Sequence, residues 1–244
     1  MCVIVHKKPG VILRKKILQE CWSKNSDGAG LMWSENGKLN TVKGLMTFQE
    51  LWDFLIRDEF DGKNKDLLIH FRMCTAGETT PELCHPFHID KDLAFMHNGV
   101  LMEEAVIDPY DKKSDTLLLC NKILKQLPRN FLNNRGLLIL LNAYLGNSTL
   151  VFMDAKGKIT KVGDLNGDME TQGYWFSNYY WSTKLLQRTI NKLQRGIYVA
   201  PKPEDYDSYS KEIEDNEVAF IMGKTKTPNV KNAREIPIFI DNGV

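Results

Sequence analysis

No apolar run in the sequence approaches the roughly 18 to 20 residues that a membrane-spanning helix requires, and the N-terminus lacks the basic, apolar and small-residue order of a secretory signal. A soluble, cytoplasmic protein with no membrane partner is the expectation. Net charge is also missing. The 32 basic and 31 acidic side chains leave +1, so no overall field draws the chain to nucleic acid or to an anionic surface. The five cysteines (Cys2, Cys21, Cys74, Cys84 and Cys120) are odd in number and contain no CxxC pair, which suits a reducing compartment better than a disulfide framework. There is no repeat of fixed period and no low-complexity tract. What is present is 244 residues, 43% of them hydrophobic, enough to bury one sizeable core.

Short apolar runs at 3–5, 31–33, 67–71 and 93–96, bounded by polar loops, read as strands. Helical periodicity covers 11–22. Thr47 and Glu50 form a T-x-x-E capping box ahead of Leu51, Phe54 and Leu55. Ser114 can cap a helix that Pro128 stops. From residue 137 onward the pattern reads as antiparallel hairpins, with strands at 137–145, 150–153 and 159–162 joined through Gly146-Asn147-Ser148 and Ala155-Lys156-Gly157. A further strand is expected at 175–178, a basic amphipathic helix at 184–193 and an irregular arm at 201–217. Helices interleaved with mostly antiparallel strands predict an α+β fold of layered sheets and helices rather than a parallel doubly wound one.

Cys2 carries the first chemical signal. Removal of Met1 would free an α-amino group beside its thiol, and an amine of unperturbed pKa ~7.7 to 8.0 can accept the thiol proton directly or through a water. A buried small side chain is the plainer reading of a cysteine at this position, so the other clusters decide. In His70-Phe71-Arg72-Met73-Cys74-Thr75-Ala76-Gly77, Arg72 offers a rigid fork for a carboxylate and Thr75 a hydroxyl beside it; the alternative is a surface arginine after a strand. In His97-Asn98-Gly99, a side-chain amide and a glycine N–H can be aimed at an oxyanion; the alternative is an Asn-Gly turn. In Ser114-Asp115-Thr116, Asp115 can hold a substrate ammonium or serve as a stabilising first-turn acid. An arginine for a carboxylate, an aspartate for an amine and an amide carbonyl near Cys2 together describe glutamine or a γ-glutamyl compound.

Met1-Cys2-Val3-Ile4, Asn25-Ser26-Asp27-Gly28-Ala29-Gly30, the His70–Gly77 octet, His85-Pro86-Phe87, His97-Asn98-Gly99 and Ser114-Asp115-Thr116 occur in the order seen in class II glutamine amidotransferases, which the chain resembles over roughly residues 2–180. The resemblance implies a four-layer αββα sandwich of the N-terminal-nucleophile hydrolase type and a γ-glutamyl thioester on Cys2. It implies an oxyanion hole of Asn98 and Gly99, with glutamine held by Arg72, Thr75 and Asp115. The expected organisation is an amidotransferase domain over 2–200 and an extension over 201–244, an irregular arm with a final strand packing on the domain. Two departures stand out. Cys74 takes a position where the family has alanine, a small-for-small change expected on a buried site. The 60 residues after Lys184 are also too few for an ammonia-accepting module, so a separate synthase subunit is the expected partner.

Cys74, Cys84, His85 and His88 raise the question of zinc, but their spacing matches no standard ligand pattern; the reading calls for no metal and no cofactor. His6 and His70 read as core residues, and the aromatics at 174–176 and 179–181 as core or pocket wall. Two alternatives to a glutaminase remain open at this point. One is a γ-glutamyl peptide or amine hydrolase of the same fold, and the other is a catalytically inactive binding or regulatory protein.

Overall fold

The computed structural model describes residues 2–57, 60, 62–75, 77–101, 114–165, 169–171, 173–178, 180–182 and 239–240; the expected helix at 184–193 and arm at 201–217 lie outside these described residues. β1 (Val3–Lys7), β2 (Ala29–Glu35), β3 (Lys38–Leu45) and β4 (Leu67–Phe71) join two later strands, β9 (Met169–Thr171) and β10 (Tyr174–Phe176), in a sheet of order β3-β2-β4-β1-β10-β9. A second sheet runs β11-β8-β7-β6-β5, from β5 (Phe87–Asp90), β6 (Leu93–Asn98), β7 (Thr149–Asp154), β8 (Ile159–Gly163) and the two-residue β11 (Phe239–Ile240). Every pairing among the described residues is antiparallel.

Three apolar clusters show how the layers stack. Alternate residues of a strand face opposite sides of its sheet, and both faces here are buried. Ile4, Met32, Leu68 and Trp175 of the first sheet meet Ala94, Met96, Val151 and Met153 of the second. Behind the first sheet, Val3, Val5, Leu31 and Ile69 pack on Ile17, Leu18 and Cys21 of α1 (Lys15–Lys24) and on Leu51 and Leu55 of α2 (Phe48–Ile56). Behind the second, Phe95, Leu150 and Phe152 pack on α3 (Asp115–Lys122) and α4 (Arg135–Leu145). The result is the four-layer αββα sandwich. Burial on both faces explains why the central strands are near-continuous apolar runs. The capping box at Thr47 is formed as read, its hydroxyl accepting from the Glu50 N–H at 3.2 Å and the Glu50 carboxylate from the Thr47 N–H at 2.9 Å.

One element corrects the sequence reading. Residues 137–145 are not a strand but most of α4. The run Leu-Leu-Ile-Leu-Leu-Asn-Ala-Tyr-Leu has no period-two alternation, and its leucines and alanine are good helix formers. Asn134 supplies the start: its side chain accepts from the Leu137 N–H at 3.2 Å. Leu138, Leu141 and Leu145 then face the sheet while Leu140 stays exposed, the signature of a helix stripe. Gly146-Asn147-Ser148 is accordingly a helix-to-strand connection into β7. The hairpin through Ala155-Lys156-Gly157 stands, joining β7 to β8.

Candidate active site

Strand pairing brings the candidate residues to one edge of the sandwich. Ile4 pairs with His70 and Val3 with Phe71, so Cys2 leaves β1 beside Arg72, which leaves β4. Across the gap between the sheets, His70 Nε2–H donates to the His97 carbonyl on β6 at 3.0 Å. That bridge brings the end of β6, and with it Asn98, to the same edge. His97 Nδ1 contacts Thr116 Oγ1 at 2.7 Å, and the Thr116 hydroxyl lies 3.3 Å from Asp115 Oδ1. Because the carboxylate can only accept, the hydroxyl donates to it and His97 Nδ1–H donates to the hydroxyl. The start of α3 is thereby joined to the same cluster.

The Cys2 thiol is part-buried and contacts the Met73 main chain, accepting from its N–H at 3.3 Å and lying 3.4 Å from its carbonyl. Burial pushes the thiol pKa up; the Met73 N–H and the Arg72 charge pull it down, and Asp115 pushes it up again. The thiol therefore stays protonated at neutral pH, and a nucleophile there needs a base.

Arg72 is 3% exposed. Its Nη2 donates to the Glu78 carbonyl at 2.8 Å and lies 3.5 Å from the Cys74 sulfur, while its buried Nη1 has no hydrogen-bond partner among the described residues. Cys74 is not buried as expected: it is half-buried, with its thiol against the guanidinium and 3.3 Å from the Gly77 carbonyl. Asp27 holds the strand end in shape, its N–H donating to the Arg72 carbonyl at 3.0 Å and its carboxylate accepting from the Cys74 N–H at 2.8 Å. Thr75 lies exposed on the following loop.

Asn98 is buried and its Oδ1 has no hydrogen-bond partner among the described residues. Gly99 has φ +143° and lies against Ser148, where a Cβ would overlap the Ser148 side chain and come within 2.8 Å of its Cα. Only glycine keeps this turn and its N–H in place. Asp115 is buried too, its Oδ2 accepting from the Leu101 N–H at 2.9 Å and its Oδ1 from the Thr116 N–H at 2.7 Å. It thus ties the segment after Gly99 to the first turn of α3, with carboxylate lone pairs left for a further donor. Two residues that the sequence reading left unassigned also bear on the site. Ser148 backs Gly99, and Asn178 donates from Nδ2 to the Cys2 carbonyl at 2.7 Å.

Cys74, Cys84, His85 and His88 do not converge. Cys84 faces Met46 and Thr80, His88 meets Thr41 at 2.9 Å, and His85 turns into the core. No group of three His, Cys, Asp or Glu among the described residues could hold a metal ion, and no helix of the described residues is long and apolar enough to cross a membrane. The His85 ring lies tilted against that of His70, with centroids 3.9 Å apart, and its centroid is 6.5 Å from that of His97. Burial pushes His70 down to about 3 and His97 to about 4, and His85 well below its ordinary value. All three are neutral in the fold and become protonated in the unfolded chain below about pH 6.5. The unfolded state then binds more protons, so stability falls with decreasing pH by about 1.4 kcal/mol per unit for each such group. The urea midpoint should drop steeply between pH 7 and pH 5; a flat profile would contradict three buried neutral imidazoles.

Over 112 residues the chain is 29% identical to a glutamine–fructose-6-phosphate aminotransferase (isomerizing) of Shewanella oneidensis, a match that covers 43% of this chain and 18% of that protein. Among solved structures, the glutamine phosphoribosylpyrophosphate amidotransferase of B. subtilis aligns over 72% of this chain and 41% of its own, at 16% identity and a TM-score of 0.43. A glutamine aminotransferase class-II domain protein of Silicibacter pomeroyi aligns over 72% of this chain and 87% of its own, at 12% identity and a TM-score of 0.39. No protein-family model matches the chain.

Proposed function

We propose that this chain is a class II glutamine amidotransferase domain that hydrolyses L-glutamine to glutamate and ammonia through a γ-glutamyl thioester on Cys2 and passes the ammonia to a separate acceptor or synthase. The observation that supports the reading is the pairing of β1 with β4, which sets the thiol at position two beside the buried Arg72, together with the His70 bridge from β4 to β6, the strand that ends at the Asn98-Gly99 turn. The match to an aminotransferase that uses glutamine supports the same substrate.

In this mechanism Met1 is removed and the Cys2 amine takes the thiol proton as sulfur attacks the amide carbon. The Asn98 side chain and the Gly99 N–H stabilise the oxyanion. The amine returns the proton to the departing nitrogen, ammonia leaves, and a water activated by the same amine cleaves the thioester to release glutamate. The glutamine carboxylate is held by Arg72 with Thr75, and its ammonium by Asp115. Nothing in these steps requires a metal.

The test is turnover by protein whose Cys2 is the first residue. Release of glutamate and ammonia from glutamine supports the reading; no release, together with no labelling by a glutamine-like chloroketone, overturns it. Running γ-glutamyl dipeptides in the same assay separates a glutaminase from a γ-glutamyl hydrolase of the same fold. Arg72→Lys keeps the charge and loses the fork, so KM for glutamine should rise about tenfold or more, with kcat changed far less. Steady-state kinetics check this, and an unchanged KM would remove Arg72 from the carboxylate site.

A further inference from the structure

Asn178 follows β10, the strand that pairs with β1 on the side away from β4. It is 4% exposed, and both ends of its amide are used. Its Oδ1 accepts from the Tyr180 N–H at 3.0 Å, and its Nδ2 donates to the Cys2 carbonyl at 2.7 Å. These contacts settle the amide orientation, since a backbone N–H can only donate and a carbonyl can only accept. Ser177, next to it, exchanges bonds with Ile4: its Oγ accepts from the Ile4 N–H at 2.9 Å and its own N–H donates to the Ile4 carbonyl at 2.9 Å. The main chain on either side of Val3 is therefore pinned from β10, independently of the contacts that Met73 makes to the Cys2 sulfur from the opposite side.

We propose that Asn178 is a positioning residue that clamps the Cys2 main chain, so that a terminal amine on Cys2 is aimed at its own thiol. An N-terminal residue has no preceding peptide to hold it, so its Cα, with the amine and the side chain on it, can swing about the Cα–C bond. Fixing the carbonyl on one side and the sulfur on the other leaves one backbone orientation. A geometric error of about 1 Å between base and nucleophile can cost 10²-fold in rate. The proposal rests on Cys2 acting as the nucleophile, but not on glutamine being the substrate.

Asn178→Asp separates the clamp from a merely structural role. Aspartate keeps the acceptor for the Tyr180 N–H and loses the donor to Cys2, whereas Asn178→Ala loses both. The measurements are the rate of Cys2 alkylation by iodoacetamide in chain lacking Met1, the steady-state kcat and KM for glutamine, and the melting temperature. The proposal predicts that Asn178→Asp stays folded at the assay temperature, with some loss of melting temperature because a buried carboxylate faces a carbonyl, while its alkylation rate and kcat fall about tenfold or more and KM stays within about twofold. Wild-type alkylation and kcat in Asn178→Asp, with losses confined to Asn178→Ala, would reduce Asn178 to a turn residue and overturn it. Absence of glutamine turnover in the wild type would sink the functional reading alone, because the alkylation contrast still tests the clamp.

Discussion

Cys2→Ala should abolish glutamine hydrolysis, with a fall in kcat on the order of 10⁴-fold or more, while the fold and glutamine binding survive. The magnitude follows from removing the atom that forms the covalent bond; a nucleophile deleted from a comparable acyl-transfer site costs this much or more, and what remains comes from oxyanion stabilisation and binding. The fold should survive because the thiol makes only weak contacts to Met73, while β1 is held by pairing on both edges. Rapid-quench assays for glutamate and calorimetry for glutamine binding check the two halves. Residual hydrolysis within tenfold of the wild type would show that another group attacks.

Gly99→Ala should lower kcat by about 10²-fold with a much smaller change in KM. The new Cβ would overlap the Ser148 side chain and come within 2.8 Å of its Cα. Relief cannot come from swinging a side-chain tip away, because backbone is among the obstructing atoms. The positive φ adds strain for any L side chain. The turn would shift, and the Gly99 N–H with it, which removes a donor from the position where an oxyanion would form. Ground-state binding of the glutamine carboxylate and ammonium, assigned to Arg72, Thr75 and Asp115, would be largely spared. A variant with wild-type kcat would take the Gly99 N–H out of the mechanism.

How much of this was legible beforehand depended on whether the signal was local. Cys2, Arg72, Asn98 and Gly99 can be singled out because each sits at or just past one end of an apolar run; β4 spans its run, while β1 and β6 extend two residues beyond theirs, to Lys7 and Asn98. The capping box at Thr47 was legible for the same reason, three residues apart on one turn. The helix α4 was misread because its apolar run is dense enough to suit a buried strand; only the Asn134 cap and the leucine spacing distinguish it, and neither is prominent. The role of His97 was hidden since it depends on two long-range contacts, to His70 and to Thr116. Asn178 was equally hidden, 176 residues from the carbonyl it holds. Cys74 was expected to be a buried replacement for alanine, and its contact with Arg72 depends on a loop conformation that no spacing rule specifies.

Asp115 shows a different limit. Both readings of that residue are available from Ser114-Asp115-Thr116, and the contacts in the fold are those of a helix-start acid that also reaches a neighbouring loop. Its carboxylate accepts from the Thr116 N–H in its own first turn, as a helix-start acid would, and from Leu101 beyond the Asn-Gly turn. Residue type alone does not reveal that a single side chain ties the helix start to the segment after Gly99.

The central claim is that Cys2, once it is the first residue, attacks a glutamyl carbonyl with its own amine as base. Intact-protein and peptide mass spectrometry after exposure to a glutamine-like chloroketone tests this most directly, applied to chain with and without Met1. The account predicts one adduct, on the Cys2 sulfur, in chain lacking Met1, suppressed by excess glutamine and absent where Met1 is retained. Labelling that ignores Met1, that falls on another cysteine, or that never occurs in the processed chain would contradict it.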